Sequence, residues 1–357
     1  MAYQLRRAAG YLAILIAPAL LALSAWTDEP FLVVGVVMLV FPLARVAFGV
    51  VDPSGPAGWD SRVAAALDWL PRVYVAVLVV AVAMLLMRLS RSEVSVAAAI
   101  GWSLSLWLTM LFATCVAHEL LHRPERTDRT VGHLLAGLTG YPILGYEHSR
   151  HHRLPGNTAA GEWPRIDDTV WRFAVRRLSA ILAETVGARG LAIAGRSGSP
   201  VVRGLRIAMA TTCATLAVFG ATAGWAGMAI YAAVIGLVGV GIQLVTYMQH
   251  WGLGDDSIED AKVREGSWDS DCRFEAWVTM GLSLHQVHHR DGSRTCYRIG
   301  LAADSPRLPS GYVLLMFAAL VPPVWKRVML PALAYWRAQP SAPLSAGRRI
   351  ACVALYK

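Results

Sequence analysis

The sequence predicts an all-α integral-membrane protein of about six transmembrane helices, with a histidine-rich metal cap on one membrane face. Three observations lead there. Hydrophobic residues make up 55% of the chain and charged residues only 16%, where a soluble domain carries about 25% charged residues, and the mean hydropathy is +0.46. The apolar residues gather in stretches near the length that crosses a bilayer. Of the 10 histidines, all but His133 fall into three clusters and one position between them: His118-Glu-Leu-Leu-His122, His148-Ser-Arg-His151-His152, His250, and His285-Gln-Val-His288-His289.

Length and charge narrow the classes further. We read 1–357 as one membrane-embedded domain. It comprises four spans within about 8–117, a cytoplasmic segment with the first two histidine motifs at 118–206, a transmembrane hairpin at 207–250, and a cytoplasmic segment with the third motif at 251–357. The net charge of +9 does not point to nucleic acid, because the basic residues lie between apolar spans, where they meet membrane surface or an acidic protein. The five cysteines, Cys115, Cys213, Cys272, Cys296 and Cys352, show no C-x-x-C spacing and imply neither a disulfide framework nor a thiolate metal site.

The elements follow in order. Ala8 to Trp26 is too long for the apolar core of a signal peptide and reads as a retained first span. Phe31 to Val51, Val73 to Met87 and Val94 to Ala117 supply three more, with Arg45 able to reach the interface and a Pro/Gly-rich loop after Val51. The fourth span runs straight into His118. Beyond it, Leu134 to Tyr146 is too short to cross and is expected to be re-entrant or interfacial, and Arg189 to Arg206, rich in Gly and Ser, to be an exposed loop. Ile207 to Gly224 and Ala226 to Tyr247, separated only by a glycine-marked turn, form a transmembrane hairpin ending at His250. Gly311 to Leu330, broken by Pro322-Pro323 and followed by Lys326-Arg327, reads as an interfacial helix rather than a seventh span.

Topology brings the histidines together. With Arg6 and Arg7 inside, four spans return His118 and His122 to the cytoplasmic side, the hairpin returns His250 there, and the other two clusters lie in polar segments on that side. Arg88 and Arg91 in an outside loop are a modest exception to the positive-inside tendency.

Residues three and four apart share a helix face, so each cluster can aim two or three imidazoles at one point. Nine histidines exceed the four ligands of a tetrahedral zinc and suit two metals with five and four ligands, in a nitrogen-rich set compatible with iron, zinc or copper. His133 has no histidine at helical spacing and reads as an interfacial residue. His118-Glu119-Leu-Leu-His122 also satisfies the H-E-x-x-H pattern of zinc hydrolases, but a membrane zinc metalloprotease leaves both H-x-x-H-H triplets without a purpose.

These residues resemble a family. HELLHR at His118 to Arg123, EHSRHH at Glu147 to His152, QHWGL at Gln249 to Leu253 and LHQVHH at Leu284 to His289 are similar to the motifs of the integral-membrane alkane 1-monooxygenases and xylene monooxygenase hydroxylases, within the fatty acid desaturase/hydroxylase superfamily. LPSGY at Leu308 to Tyr312 and VPPVWKRVMLPAL at Val321 to Leu333 look like that family's closing segment. The resemblance implies a six-span fold in a bacterial inner membrane and a cytoplasmic non-haem di-iron centre held by His118, His122, His148, His151, His152, His250, His285, His288 and His289. It also implies O2-dependent hydroxylation of a methyl or other C–H group of a hydrophobic substrate (alkane, alkyl-aromatic or fatty-acyl-like), with electrons from a rubredoxin or ferredoxin-type donor and its reductase. The chain departs from the alkane-hydroxylase pattern in three places. Leu121 stands where glycine is usual, the second cluster is H-x-x-H-H instead of H-x-x-x-H-H, and Trp268-Asp-Ser-Asp-Cys272 lacks a histidine. The shorter second cluster is closer to desaturases and moves the reading away from linear alkanes.

A redox metal is required because side-chain acids and bases do not reach an unactivated C–H bond. Trp102, Leu106, Trp107, Met110 and Phe112 are expected to line the substrate channel, and Glu147 with Asp255 or Asp256 to orient imidazoles. Arg123, Arg126, Arg129, Arg150, Arg153 and Arg165 are expected to offer a positive face to an acidic electron carrier or to anionic lipid. The competing functions are a lipid desaturase on the same metal core and a metal carrier, the latter disfavoured because the ligands sit at the ends of the spans.

Overall fold

A bilayer offers the backbone no partner but itself, so long apolar runs become helices. The computed structural model describes residues 2–51, 58–91, 93–254 and 266–338; Cys352, Asp255, Asp256 and most of the Pro/Gly-rich loop after Val51 lie outside them. Among the described residues every regular element is a helix, and β pairing is limited to two isolated bridges.

Helix α1 (Tyr3–Thr27) ends where Asp28 turns left-handed at φ 60°. Helix α2 (Leu32–Phe48) carries a π turn at Val36–Val40. Helix α3 (Ser61–Leu89) is capped by Asp60, whose side chain accepts from the Arg62 amide, and α4 (Val96–Leu121) by Ser95, whose hydroxyl accepts from the Ala98 amide. Next come α5 (Arg126–Leu138), α6 (Leu144–Arg153), α7 (Val170–Thr185) and α8 (Pro200–His250). Short helices α9 (Arg273–Val278) and α10 (His285–Arg290) precede α11 (Tyr312–Leu320) and α12 (Pro322–Ala338). Among the described residues α1, α3, α4 and α8 are long and apolar enough to cross a membrane, while α2 falls short of that length.

Helix α8 is folded double, as the glycine-marked turn predicts. The Thr212 hydroxyl and the Tyr231 hydroxyl both donate to the Gly137 carbonyl, at 2.8 and 3.2 Å. In a straight helix those residues would be about 28 Å apart. The reversal lies at Ala223 and Gly224, where Gly224 takes φ 60° and ψ −152°, a backbone region open in practice only to glycine. The stacked rings of Phe219 and Tyr231, 5.0 Å apart, close the two limbs together.

Two sequence expectations are revised. Leu134 to Tyr146 is not a separate segment but the end of α5, a turn at Gly140 (φ 79°) and the start of α6. Arg189 to Arg206 is loop only in part. A helical turn occupies Leu191–Ala194, and Pro200 opens α8, since proline is pre-set for the first helical position and loses no needed hydrogen bond there. Leu320 and Pro322 end α11 and begin α12, so the Pro322-Pro323 break is where expected.

What positions the cap is the packing of α5 between α4 and α8. A Cβ on Gly137 would sit 2.4 Å from the Ala208 carbonyl oxygen, so only glycine allows this close approach. Ionic ties fix the same layer. The Arg72 guanidinium forks onto Asp128 at 2.9 and 2.8 Å, joining α3 to α5. Arg123, just past α4, donates to the Asp68 carbonyl at 2.6 Å, and the Tyr297 hydroxyl donates to the Asp68 carboxylate at 2.8 Å.

Candidate metal centre

Four elements deliver the nine clustered histidines to one place. The last turn of α4 brings His118 and its C-cap His122, α6 brings His148, His151 and His152, α8 ends on His250, and α10 brings His285, His288 and His289. They form two groups, His118 with His122, His148 and His288, and His151 with His250, His285 and His289; in each the potential ligand atoms all lie within 4.8 Å of one another. His152 leans on the first group, its Nε2 3.0 Å from that of His288.

Each H-x-x-H-H triplet is divided between the groups rather than aimed at one point. At 100° per residue, positions i and i+4 lie about 40° apart, while i+3 falls about 60° to the other side of i. On α6, His148 and His152 therefore face the first group and His151 the second, whereas on α10, His285 and His289 face the second group and His288 the first. The two triplets bridge the groups in opposite senses.

The geometry suits cations. His118 Nε2 lies 3.1 Å from His288 Nε2, His151 Nε2 lies 3.2 Å from His289 Nε2, and the Nε2 atoms of His122 and His148 face each other. A metal–nitrogen bond of about 2.0–2.1 Å places neighbouring ligand nitrogens about 3.0–3.4 Å apart. Buried nitrogens normally find partners, yet His250 Nε2 has no hydrogen-bond partner; a cation held by its group would supply one. Burial, with neighbouring imidazoles adding to it, holds His148, His151, His285, His288 and His289 well below the usual imidazole range. Burial alone takes His152 down to about 4. All are then neutral near pH 7, with a lone pair free to bind metal.

His133 belongs to neither group. It packs where Gly145 and Gly204 leave room for its ring, and burial lowers it to about 4. The H-E-x-x-H glutamate is also committed elsewhere, since Glu119 is buried against the Arg123 guanidinium at 3.4 Å.

Of the expected orienting carboxylates, Glu147 is corrected, while Asp255 and Asp256 lie outside the described residues. Glu147 bonds to Tyr141, Arg177 and Gln243. Among the described residues the carboxylate that faces a clustered histidine is Glu162, 3.6 Å from His151 Nδ1. It stands in the loop before α7 beside Trp163, whose ring stacks on His250 with centroids 4.3 Å apart. No histidine-like spacing marks either residue; the one sequence signal is an acidic residue next to an aromatic one in a loop between two histidine motifs. The expected positive face is thinner than predicted, because Arg123 and Arg150 are buried in ion pairs while Arg126, Arg153 and Arg165 are exposed and Arg129 is half-buried.

An apolar cavity of about 380 Å³ leads to the histidines. Val37, Phe41, Leu244 and Met316 form part of its wall, and His118, His148, His151 and His285 border it. From α4 it takes Trp107, Leu108, Leu111, Phe112, Thr114, Cys115 and His118, one helix face whose members recur at spacings of three and four. Trp107 and Phe112 thus line the cavity as expected, whereas Trp102, Leu106 and Met110 are buried in helix packing. Stepping back from His118 by three and four identifies the right face.

The profile of the family described as "Fatty acid desaturase" matches residues 94–319, which include all nine clustered histidines. The chain belongs to the fatty acid desaturase family. Among curated relatives of this member, alkane 1-monooxygenase 1 of Pseudomonas aeruginosa is 29% identical over 245 residues, covering 65% of this chain and 63% of that protein. The alkane 1-monooxygenase of Acinetobacter baylyi is 25% identical, over 61% of this chain and 55% of its own length. The xylene/toluene monooxygenase hydroxylase component XylM of Pseudomonas putida is 24% identical, over 68% of this chain and 67% of its own. The matched regions thus span a little over half to two thirds of these three relatives.

Proposed function

We propose that this member of the fatty acid desaturase family is a membrane di-iron monooxygenase that hydroxylates a methyl or other C–H group of a hydrophobic substrate. The observation that carries the reading is an apolar cavity bordered by two histidine groups of a single buried cluster. The reaction is R–H + O2 + 2 e⁻ + 2 H⁺ → R–OH + H2O. His118, His122, His148, His152 and His288 would hold one iron, and His151, His250, His285 and His289 the other. Bound there, the irons supply the redox chemistry that protein side chains lack.

The chain's own contribution is to bind, orient and exclude water. The wall formed by Val37, Phe41, Leu111, Leu244 and Met316 is apolar, so an alkane, alkyl-aromatic or acyl chain gains by burial there and stops with a C–H group at the metals. The half-exposed Trp171 and Phe317 at the edge of the cavity are consistent with entry from lipid. Electrons come from a rubredoxin or ferredoxin-type donor with its reductase, and the named monooxygenase relatives support this class of reaction. The site lies on the cytoplasmic face of a bacterial inner membrane in this reading.

A desaturase on the same centre is the second reading, favoured by the family's name and by the H-x-x-H-H spacing at His148. Product analysis separates them. Purified protein with a ferredoxin or rubredoxin donor, O2 and a set of octane, p-xylene and a fatty acyl ester should give a primary or benzylic alcohol. An alkene as the only product would replace the monooxygenase with the desaturase.

A further inference from the structure

Between α6 and α7 the chain makes a tight loop that covers the second histidine group. Asn157 shapes it, with its side-chain oxygen accepting from the Ala160 amide at 2.7 Å and its carbonyl accepting from the Glu162 amide at 3.1 Å. The turn delivers two consecutive side chains inward, Glu162 and Trp163, both fully buried. Trp163 lies flat on His250, and Glu162 faces His151. Among the described residues no other carboxylate is within ion-pair distance of any of the nine histidines.

The two nitrogens of His151 have different surroundings. Nε2 points at His289 within the second group, while Nδ1 is buried without a hydrogen-bond partner, 3.6 Å from a Glu162 oxygen. If Nε2 binds a cation through its lone pair, a neutral ring must carry its proton on Nδ1, and ligating histidines usually present that N–H to a carboxylate or carbonyl. A shift of roughly half an ångström brings the pair into hydrogen-bond range. Glu162 is itself fixed, because Arg177 donates to it through Nε and Nη2 at 3.3 and 3.1 Å and Arg150 pairs with its other oxygen.

We propose that Glu162 is a positioning residue for the second histidine group, holding His151 as the Nδ1–H tautomer so that Nε2 is presented to the cation. The proposal rests on reading the histidine groups as cation sites. Among the described residues the first group has no such carboxylate, so the two sites differ in what loss of Glu162 does to them. A purely structural role, as counter-ion to Arg150 and Arg177, would act on the fold instead.

The test titrates metal-free, detergent-purified protein with cobalt(II), following its visible absorption as two classes of site fill. Glu162→Gln should weaken one class by about 10- to 100-fold and leave the other unchanged. Glu147→Gln removes the same charge from beside Arg177 without facing a histidine, and should leave both classes within about 3-fold of wild type. Should Glu162→Gln fail to fold, Glu162→Asp keeps the charge but withdraws it by one methylene, and should weaken the same class. Wild-type affinity at both classes in the Glu162 variant, or equal weakening by Glu147→Gln, would overturn the positioning role. Absence of cobalt binding by the wild type would instead overturn the cation sites themselves. None of these readouts depends on whether the enzyme hydroxylates or desaturates.

Discussion

His288→Ala is expected to abolish turnover while leaving a protein that still inserts in the membrane and purifies as a folded species. His288 is the α10 residue that crosses to the first group, where its Nε2 meets those of His118 and His152 at 3.1 and 3.0 Å. Under the proposed function, removing it takes a ligand from one site, together with a contact that ties α10 to α4 and α6. Loss of an outer partner of a ligand already costs about 10- to 100-fold, so loss of a ligand should exceed about 100-fold in activity and lower the metal content. His148→Ala should behave in the same way from the α6 side. His133→Ala should keep both metal and turnover, because its ring packs beside Gly145 and Gly204. Full activity in His288→Ala would remove that residue from the ligand set.

Arg177→Met should produce the largest loss of stability of any single change in the cap. Arg177 is 2% exposed and stands between Glu147 and Glu162, which are 3% and 0% exposed, and it donates to Gln243 at 2.8 Å. With Arg150 it balances the two buried carboxylates. Removing one member of a buried ionic set leaves an uncompensated charge, at a cost of about 3–5 kcal/mol. That is a large share of the roughly 5–15 kcal/mol that keeps a protein folded. Arg177→Lys should rescue little, since one ammonium cannot reach both carboxylates and Gln243 in the plane the guanidinium fork provides. Thermal unfolding in detergent checks this, and a variant within about 1 kcal/mol of wild type would show that the network adds little.

The membrane helices and the histidine cluster were legible in the sequence because both are periodic signals. A run of apolar residues gives a span, and steps of three and four give a helix face that continues from Trp107 through Leu111 and Cys115 to His118. The reversal at Gly224 was legible because its φ of 60° demands glycine. The division of each histidine triplet was within reach of the same arithmetic, but it needs the second group's position to be known. The choice of Trp102, Leu106 and Met110 failed because bulk and apolarity do not say which way a helix faces. Glu162 and Trp163 were missed because their placement depends on the turn set by Asn157, which brings residues with no periodic relation to the histidines onto His151 and His250.

The measurement that bears most directly on the central claim is the metal content of the full chain, purified in detergent after expression with ample iron, with iron and zinc quantified together. The proposed di-iron monooxygenase requires about two irons per chain and little zinc, one metal for each histidine group. About one zinc and no iron would contradict the di-iron centre and return His118, Glu119 and His122 to consideration as a hydrolase site.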